Sequence, residues 1–358
     1  METRMPSGAP FRRHAALLVA ALTCGPMVTR GPRVSAADAH SQEAKQAMAV
    51  SEADRAHSSA PDWTDRMERR RRGPVTLYYS PQSKPLAGDL LAYAFRCNEY
   101  LAGLFQPEEP VRQTVYWMAR ADWRGKPESY GFPYANGPNA YLAAADVDLP
   151  TQLALIADCT AIQDGGEAID RMARLVGLPE GAGPAEVYER LSESSDFFVV
   201  WTAYQILPHE LTHGYCNALG YPGKPRWWYE GLAQWAAYQM QTKLRSKREA
   251  EMIYEYYQLL WDRAAERLQV REFAEADRLG AGGMDTPNYA WYHAGLLRMF
   301  RDLEALQGDN PLPDLVRVVG ERYKGQRQVS HAEMIDAFSE VIGRDLQPWF
   351  KEQWHLGP

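Results

Sequence analysis

Apolar and polar positions alternate over Val75–Tyr79 and over residues 114–119, the period-two pattern of strands with one buried face. Asn139-Ala-Tyr-Leu-Ala143 predicts a third strand, and the Gly131-Phe-Pro-Tyr-Ala-Asn-Gly-Pro138 stretch before it carries turn chemistry. Between the first two strands, residues 90–105 have helical spacing. Beyond Gly165 that spacing takes over, most clearly in residues 197–219, 231–244, 247–268, 289–306 and 330–342. The last of these opens on Ser330-His-Ala-Glu333, a capping box, and stops at Gly343. A small mixed sheet followed by a run of helices is the α+β pattern.

The chain ahead of Val75 has another texture. Residues 37–72 are rich in Ala, Ser, Glu, Arg and Asp and carry few large apolar groups, which predicts a linker or weak helix, poorly ordered. Its four consecutive arginines, Arg69 to Arg72, read as a solvated flank before the first strand, with a processing site as the alternative. Further back, Arg12 and Arg13 precede an apolar run over residues 15–22, then Gly25-Pro26, then Val34-Ser35-Ala36. That is the order of an export signal cleaved before Ala37, and the apolar run is too short to stay as a membrane span. Cys24 as a lipid anchor is disfavoured by Ala21-Leu22-Thr23 before it. The paired arginines also loosely fit twin-arginine export, and an arginine-rich transit peptide fits a stretch in which Glu2 is the sole acid before Asp38. The expected organisation is a signal peptide over 1–36, a linker over 37–72 and one domain over 73–358. Within that domain the sheet belongs to 73–164 and the helices to 165–358, and the product is periplasmic or extracellular.

Composition changes this picture little. The 358 residues are 46% hydrophobic and 24% charged, as in a soluble enzyme, and the net charge of -7 argues against nucleic acid as a partner. Past the signal only Cys97, Cys159 and Cys216 remain, with no CxxC pair. One disulfide at most can form, and Cys216 reads as a small core residue.

Candidate chemistry gathers in His209-Glu-Leu-Thr-His213. On a helix, positions i and i+4 share a face, so both imidazoles reach one ion, and Glu210 is placed to take a proton from water on that ion. Two surface histidines would have the same spacing. The apolar residues 197–207 argue instead for a buried helix, where unpaired polar groups are costly. Pro208 suits a first helical turn, or kinks a longer helix before the ligands. A third ligand is sought downstream, in Trp227-Trp-Tyr-Glu-Gly-Leu-Ala-Gln-Trp235, which follows the turn Tyr221-Pro-Gly-Lys-Pro225. Glu230 is the one acid in this aromatic stretch, and a buried acid wants a cation; the rival reading is an ordinary acid near a helix start. Small Gly231 and Ala233 are expected to let this helix pack on the motif helix.

HExxH followed by a Trp-rich turn and Glu-Gly-x-Ala resembles the gluzincins, the thermolysin and aminopeptidase type of zinc peptidase, and within them the peptidase MA-like group. The resemblance covers residues 205–240 sharply. It implies a zincin-like fold, one zinc per chain on His209, His213 and Glu230, and Glu210 as catalytic base. It also implies a tyrosine on a later helix as oxyanion donor: in Tyr289-Ala-Trp-Tyr-His-Ala-Gly295, Tyr292 fits by its spacing to Gly295, with Tyr289 in reserve and a core role as the alternative. The end of the chain, residues 338–354, is similar to the end of the gluzincin helical domain. No third histidine follows His213 closely, which sets the metzincins aside. Where thermolysin-like relatives have an aspartate that orients a histidine, this chain has Gln234, whose amide oxygen is expected to substitute with less charge. Asn139-Ala-Tyr141 is the expected edge strand for peptide substrate. The implied activity is zinc-dependent hydrolysis of peptide bonds in a peptide or protein, as an endopeptidase. Two rival functions stand beside it: an inactive pseudo-peptidase that binds a peptide or wall polymer, and another hydrolase on the same scaffold.

Overall fold

The computed structural model describes residues 64–119, 122–123, 133–143, 202–245, 286–306, 312–354 and 356, with isolated residues within 170–190 and 247–258; of 286–292 it describes the backbone. Among these, five strands form one mixed sheet and seven helices follow or flank it, an α+β arrangement.

The strands are β1 (Glu68–Arg72), β2 (Val75–Tyr79), β3 (Gln113–Met118), β4 (Tyr134–Asn136) and β5 (Asn139–Ala143), in the spatial order β1-β2-β3-β5-β4. β2, β3 and β5 run parallel, and β1 and β4 close the two edges antiparallel. Helix α1 (Ala87–Phe105) makes the crossover between β2 and β3, as parallel neighbours require. The alternation read from the sequence has its physical cause here. Val75, Leu77, Val115, Trp117, Ala140 and Leu142 face a core shared with α1 and with α2 (Leu207–Leu219). On the opposite face, Tyr78, Tyr116, Tyr141 and Tyr134 stack across four strands with ring centroids 5.2, 4.7 and 4.7 Å apart.

Two expectations for this sheet need correcting. The arginine run is not a flank ahead of the first strand; with Glu68 it is β1, so the sheet begins inside the stretch read as a linker. An edge strand with exposed side chains needs no apolar alternation. These arginines lie over rings instead, Arg69 on Tyr78, Arg70 on Tyr79 and Arg72 on Phe95, the last at 4.7 Å. Nor is β5 the edge: it lies between β3 and β4, and the strand at that edge is β4, in what reads as turn sequence.

The helical part comprises α2, α3 (Arg226–Leu244), α4 (Thr286–Ala305), α5 (Leu312–Tyr323), α6 (His331–Ile342) and α7 (Gln347–Trp354). α2 is preceded by a π-helical turn, Thr202–Ile206, and ends at Gly220, whose φ of 73° suits a residue without Cβ. The expected helix over 247–268 lies largely outside the described residues. α6 has its capping box: Ser330 Oγ accepts from the Glu333 N–H, and Glu333 accepts from the Ser330 N–H. No helix among the described residues is long and apolar enough to cross a membrane.

Buried polar contacts dock α2 on the sheet. Gln113 of β3 donates through Nε2 to the Leu211 carbonyl at 2.7 Å, while its Oε1 accepts from Asn98 of α1 at 2.9 Å. Gly214 lets that amide approach, since a Cβ there would stand 2.7 Å from Gln113 Nε2. Gly231 does comparable work on α3, but against a different neighbour from the one expected. It faces Phe300 of α4 rather than the motif helix: a Cβ would collide with the Phe300 ring, which is itself packed against Trp228 and Phe338. Gly231→Ala should therefore overpack this contact and destabilise the fold by about 1–3 kcal/mol. Urea unfolding would show a lower midpoint at constant slope. Gly223→Ala, where a Cβ meets nothing within 4 Å, is the control expected to leave the midpoint in place.

Candidate metal centre

His209 and His213 stand one turn apart on α2, and Glu230 reaches them from the second turn of α3. All three are buried, at 4%, 5% and 7% exposure. The two Nε2 atoms are 3.0 Å apart, and Glu230 Oε2 is 3.3 Å from that of His209 and 3.1 Å from that of His213. Three candidate ligand atoms thus form a small triangle, the one group of its kind among the described residues.

Charge makes the triangle informative. Burial pushes the His213 pKa down to about 4, against the pull of Glu230, so the ring is neutral at pH 7. Burial opposes ionisation of Glu230 as well. The neighbouring His213, the hydrogen bonds from both histidines and the Arg226 guanidinium outweigh it and hold the carboxyl well below the usual range. Arg226, four residues earlier on α3, donates to Glu230 Oε1 at 3.0 Å and leaves Oε2 for the histidines. The Nδ1 atoms of both histidines are buried with no hydrogen-bond partner among the described residues. Those hydrogen bonds to Glu230 place ring protons on Nε2; a cation at the centre would instead take both Nε2 lone pairs together with Oε2, with the ring protons on Nδ1.

The residues fit such a cation. A tetrahedral ion at roughly 2.0–2.2 Å from two imidazole nitrogens and a carboxylate oxygen separates its donors by roughly 3.3 Å, and three protein ligands leave one position open. Tyr229 stacks on His213 at 4.1 Å and 16°, and its hydroxyl donates to Asn217 at 2.9 Å, which fixes the plane of that ring.

Glu210, 6% exposed, is beside these residues but outside the triangle. Burial raises its pKa to about 7; His209 lowers it and the Glu230 charge raises it. A cation in the triangle would draw it down again by favouring the carboxylate. Tyr289 and Tyr292 are on α4, and their side chains lie outside the described ones.

Three features escaped sequence reasoning. Arg226 is separated from Glu230 by the i, i+4 spacing of a helical ion pair, a signal that was present. His293, next to Tyr292 on α4, has its ring 5.7 Å from that of His209, and nothing in its spacing announces this. Gln234 meets a histidine, but through its nitrogen and not the amide oxygen expected: its Nε2 is 2.6 Å from His293 Nδ1 and its Oε1 accepts from Gln205. Gln205, a polar residue inside an apolar run, was the hint of that partner.

No family model matches the chain, and no curated protein matches it. Among solved structures, native yeast LTA4 hydrolase is similar with a TM-score of 0.47 at 11% identity, over 79% of this chain. The chain spans 38% of that protein's length. So slight a likeness transfers neither fold nor function, and the residues have to speak for themselves.

If the triangle holds an ion, zinc at about a hundred times its Kd should raise the unfolding free energy by about 2.7 kcal/mol. Calorimetry of the wild type should show the corresponding rise in Tm, and His213→Ala should lose it. A wild-type Tm indifferent to zinc would remove the metal site.

Proposed function

We propose that this chain is an exported zinc endopeptidase of the gluzincin type, with a zincin-like fold. One zinc per chain is held by His209, His213 and Glu230, and Glu210 is the general base. The observation that carries the proposal is the convergence of two imidazoles and an ionised carboxylate on one buried point, with a second carboxylate beside them. Zinc there would supply a Lewis acid and bring the pKa of a water toward ~7.

The chain's own residues do the rest. Glu210 accepts the proton of the attacking water on its carboxylate and passes it to the leaving amine nitrogen. Its burial excludes solvent that would otherwise compete for that proton. Glu230, with Arg226 on its other oxygen, stays ionised throughout. Tyr292 on α4 is the proposed donor to the oxyanion, with Tyr289 in reserve. The substrate is a peptide or protein segment, and β4, at the edge of the sheet nearer α2, is where an extended chain would add as a further strand.

Glu210→Gln should keep one zinc per chain by elemental analysis and lose peptide hydrolysis by several orders of magnitude. In the same assay Tyr292→Phe should lower kcat roughly a hundredfold with little change in KM. A loss in Tyr289→Phe alone would move the role there. If wild type and Glu210→Gln are equally inert on a broad peptide library yet bind the same peptide, the chain is a binding pseudo-peptidase.

Export rests on the order of residues 12–36, basic, apolar and then small. Mass spectrometry of the protein from its native host should find an N-terminus near Ala37. A product that retains Met1 inside the cell would rule it out.

A further inference from the structure

Pro208 has no backbone N–H, so it cannot give the Tyr204 carbonyl the i→i−4 hydrogen bond of a regular helix. Gln241 reaches that carbonyl from α3, its Nε2 at 2.5 Å. A carbonyl only accepts, so the Gln241 amide is oriented with its nitrogen toward Tyr204. The reverse orientation would set two acceptors face to face in a buried place.

The orientation propagates. The same Nε2 donates to Gln205 Oε1 at 2.8 Å. With its oxygen so engaged, Gln205 presents its Nε2 to Gln234 and donates to Oε1 at 2.5 Å. Gln234 is oriented in turn, and its Nε2 lies 2.6 Å from His293 Nδ1. An amide NH2 can only donate, so Nδ1 must accept. A neutral imidazole that accepts on Nδ1 carries its proton on Nε2.

The geometry points to a one-way amide relay, from the Tyr204 carbonyl through Gln241, Gln205 and Gln234, that fixes His293 beside the metal centre as the Nε2–H tautomer. His293 is a positioning residue: its ring packs edge-on against His209, 5.7 Å away at 63°. Accepting on Nδ1, it adds no positive charge beside a site that already has Arg226 on Glu230 and would take a cation. Gln205, Gln234 and Gln241 act through it, so the relay ties the π-helical turn and α3 to a ring on α4. The purpose of the relay rests on the zinc reading. The tautomer does not.

The test is a long-range 1H–15N correlation spectrum of the full chain labelled with 15N-histidine, with His293→Gln used to identify the His293 signals. The expected result, with and without zinc, is a proton on Nε2 and a hydrogen-bonded, unprotonated Nδ1. In Gln234→Leu, Nδ1 should move to the shift of a non-bonded nitrogen. In Gln205→Leu, the Gln234 amide has lost the donor that orients it, and a second, Nδ1-protonated form should appear, although Gln234 stands between residue 205 and the ring. Wild-type His293 protonated on Nδ1, or on both nitrogens, overturns the relay, and this spectrum decides even if a variant fails to fold. A folded Gln205→Leu protein with an unchanged His293 spectrum overturns it too. If zinc leaves His209 and His213 unmoved while His293 keeps its Nε2 proton, the metal reading fails and the relay stands.

Discussion

The contact on which the rest of this structure depends brings Glu230 Oε2 to 3.1 Å from His213 Nε2 and 3.3 Å from His209 Nε2, almost out of reach of water. Burying a carboxylate costs several kcal/mol unless charge or hydrogen bonds offset it. Arg226 offsets part from the other carboxylate oxygen. What remains is a cluster of three potential ligand atoms on one buried point, with both Nδ1 atoms lacking partners among the described residues. Such an arrangement persists only where the surrounding packing enforces it, and its chemistry suits a small, hard-to-borderline cation.

The enforcement comes from two helices held by different means. α2 is fastened to the sheet by polar contacts, Gln113 on the Leu211 carbonyl and Tyr215 on the Asn98 carbonyl at 3.0 Å. α3 is fixed by close apolar packing, with Gly231 under the Phe300 ring and Trp227 and Trp228 sunk among Phe338, Phe350 and Phe300. The residues next to the ligands therefore take part in the placement. Gly231 sets how near α4 comes, and Tyr229 sets the plane of His213. The π-helical turn before α2 adds a third constraint, because Pro208 leaves the Tyr204 carbonyl to be met by a side chain from α3.

Much of this was legible in the chain because the information is local. Strand periodicity located β2, β3 and β5, whose buried positions alternate with half-buried ones. The i, i+4 histidines needed only a helix to share a face, and the Ser330 box needed only its own first turn. Glu230 was legible for a related reason: an acid among tryptophans is conspicuous wherever the chain folds. Legibility ended where the deciding neighbour is far away in sequence. β1 is a strand because β2 offers it a ladder and tyrosines for its arginines to cover, not because of any period of its own. β4 rather than β5 is the edge because β3 occupies the other side of β5. Gly231 meets Phe300 and Gln234 meets His293, 59 residues on, through the docking of α4, which no spacing within α3 encodes. Local spacing thus determined which side chains could serve a metal. The packing of elements distant in the chain decided which faces meet, because a hydrogen bond or a van der Waals contact depends on separation in space and is indifferent to separation along the chain.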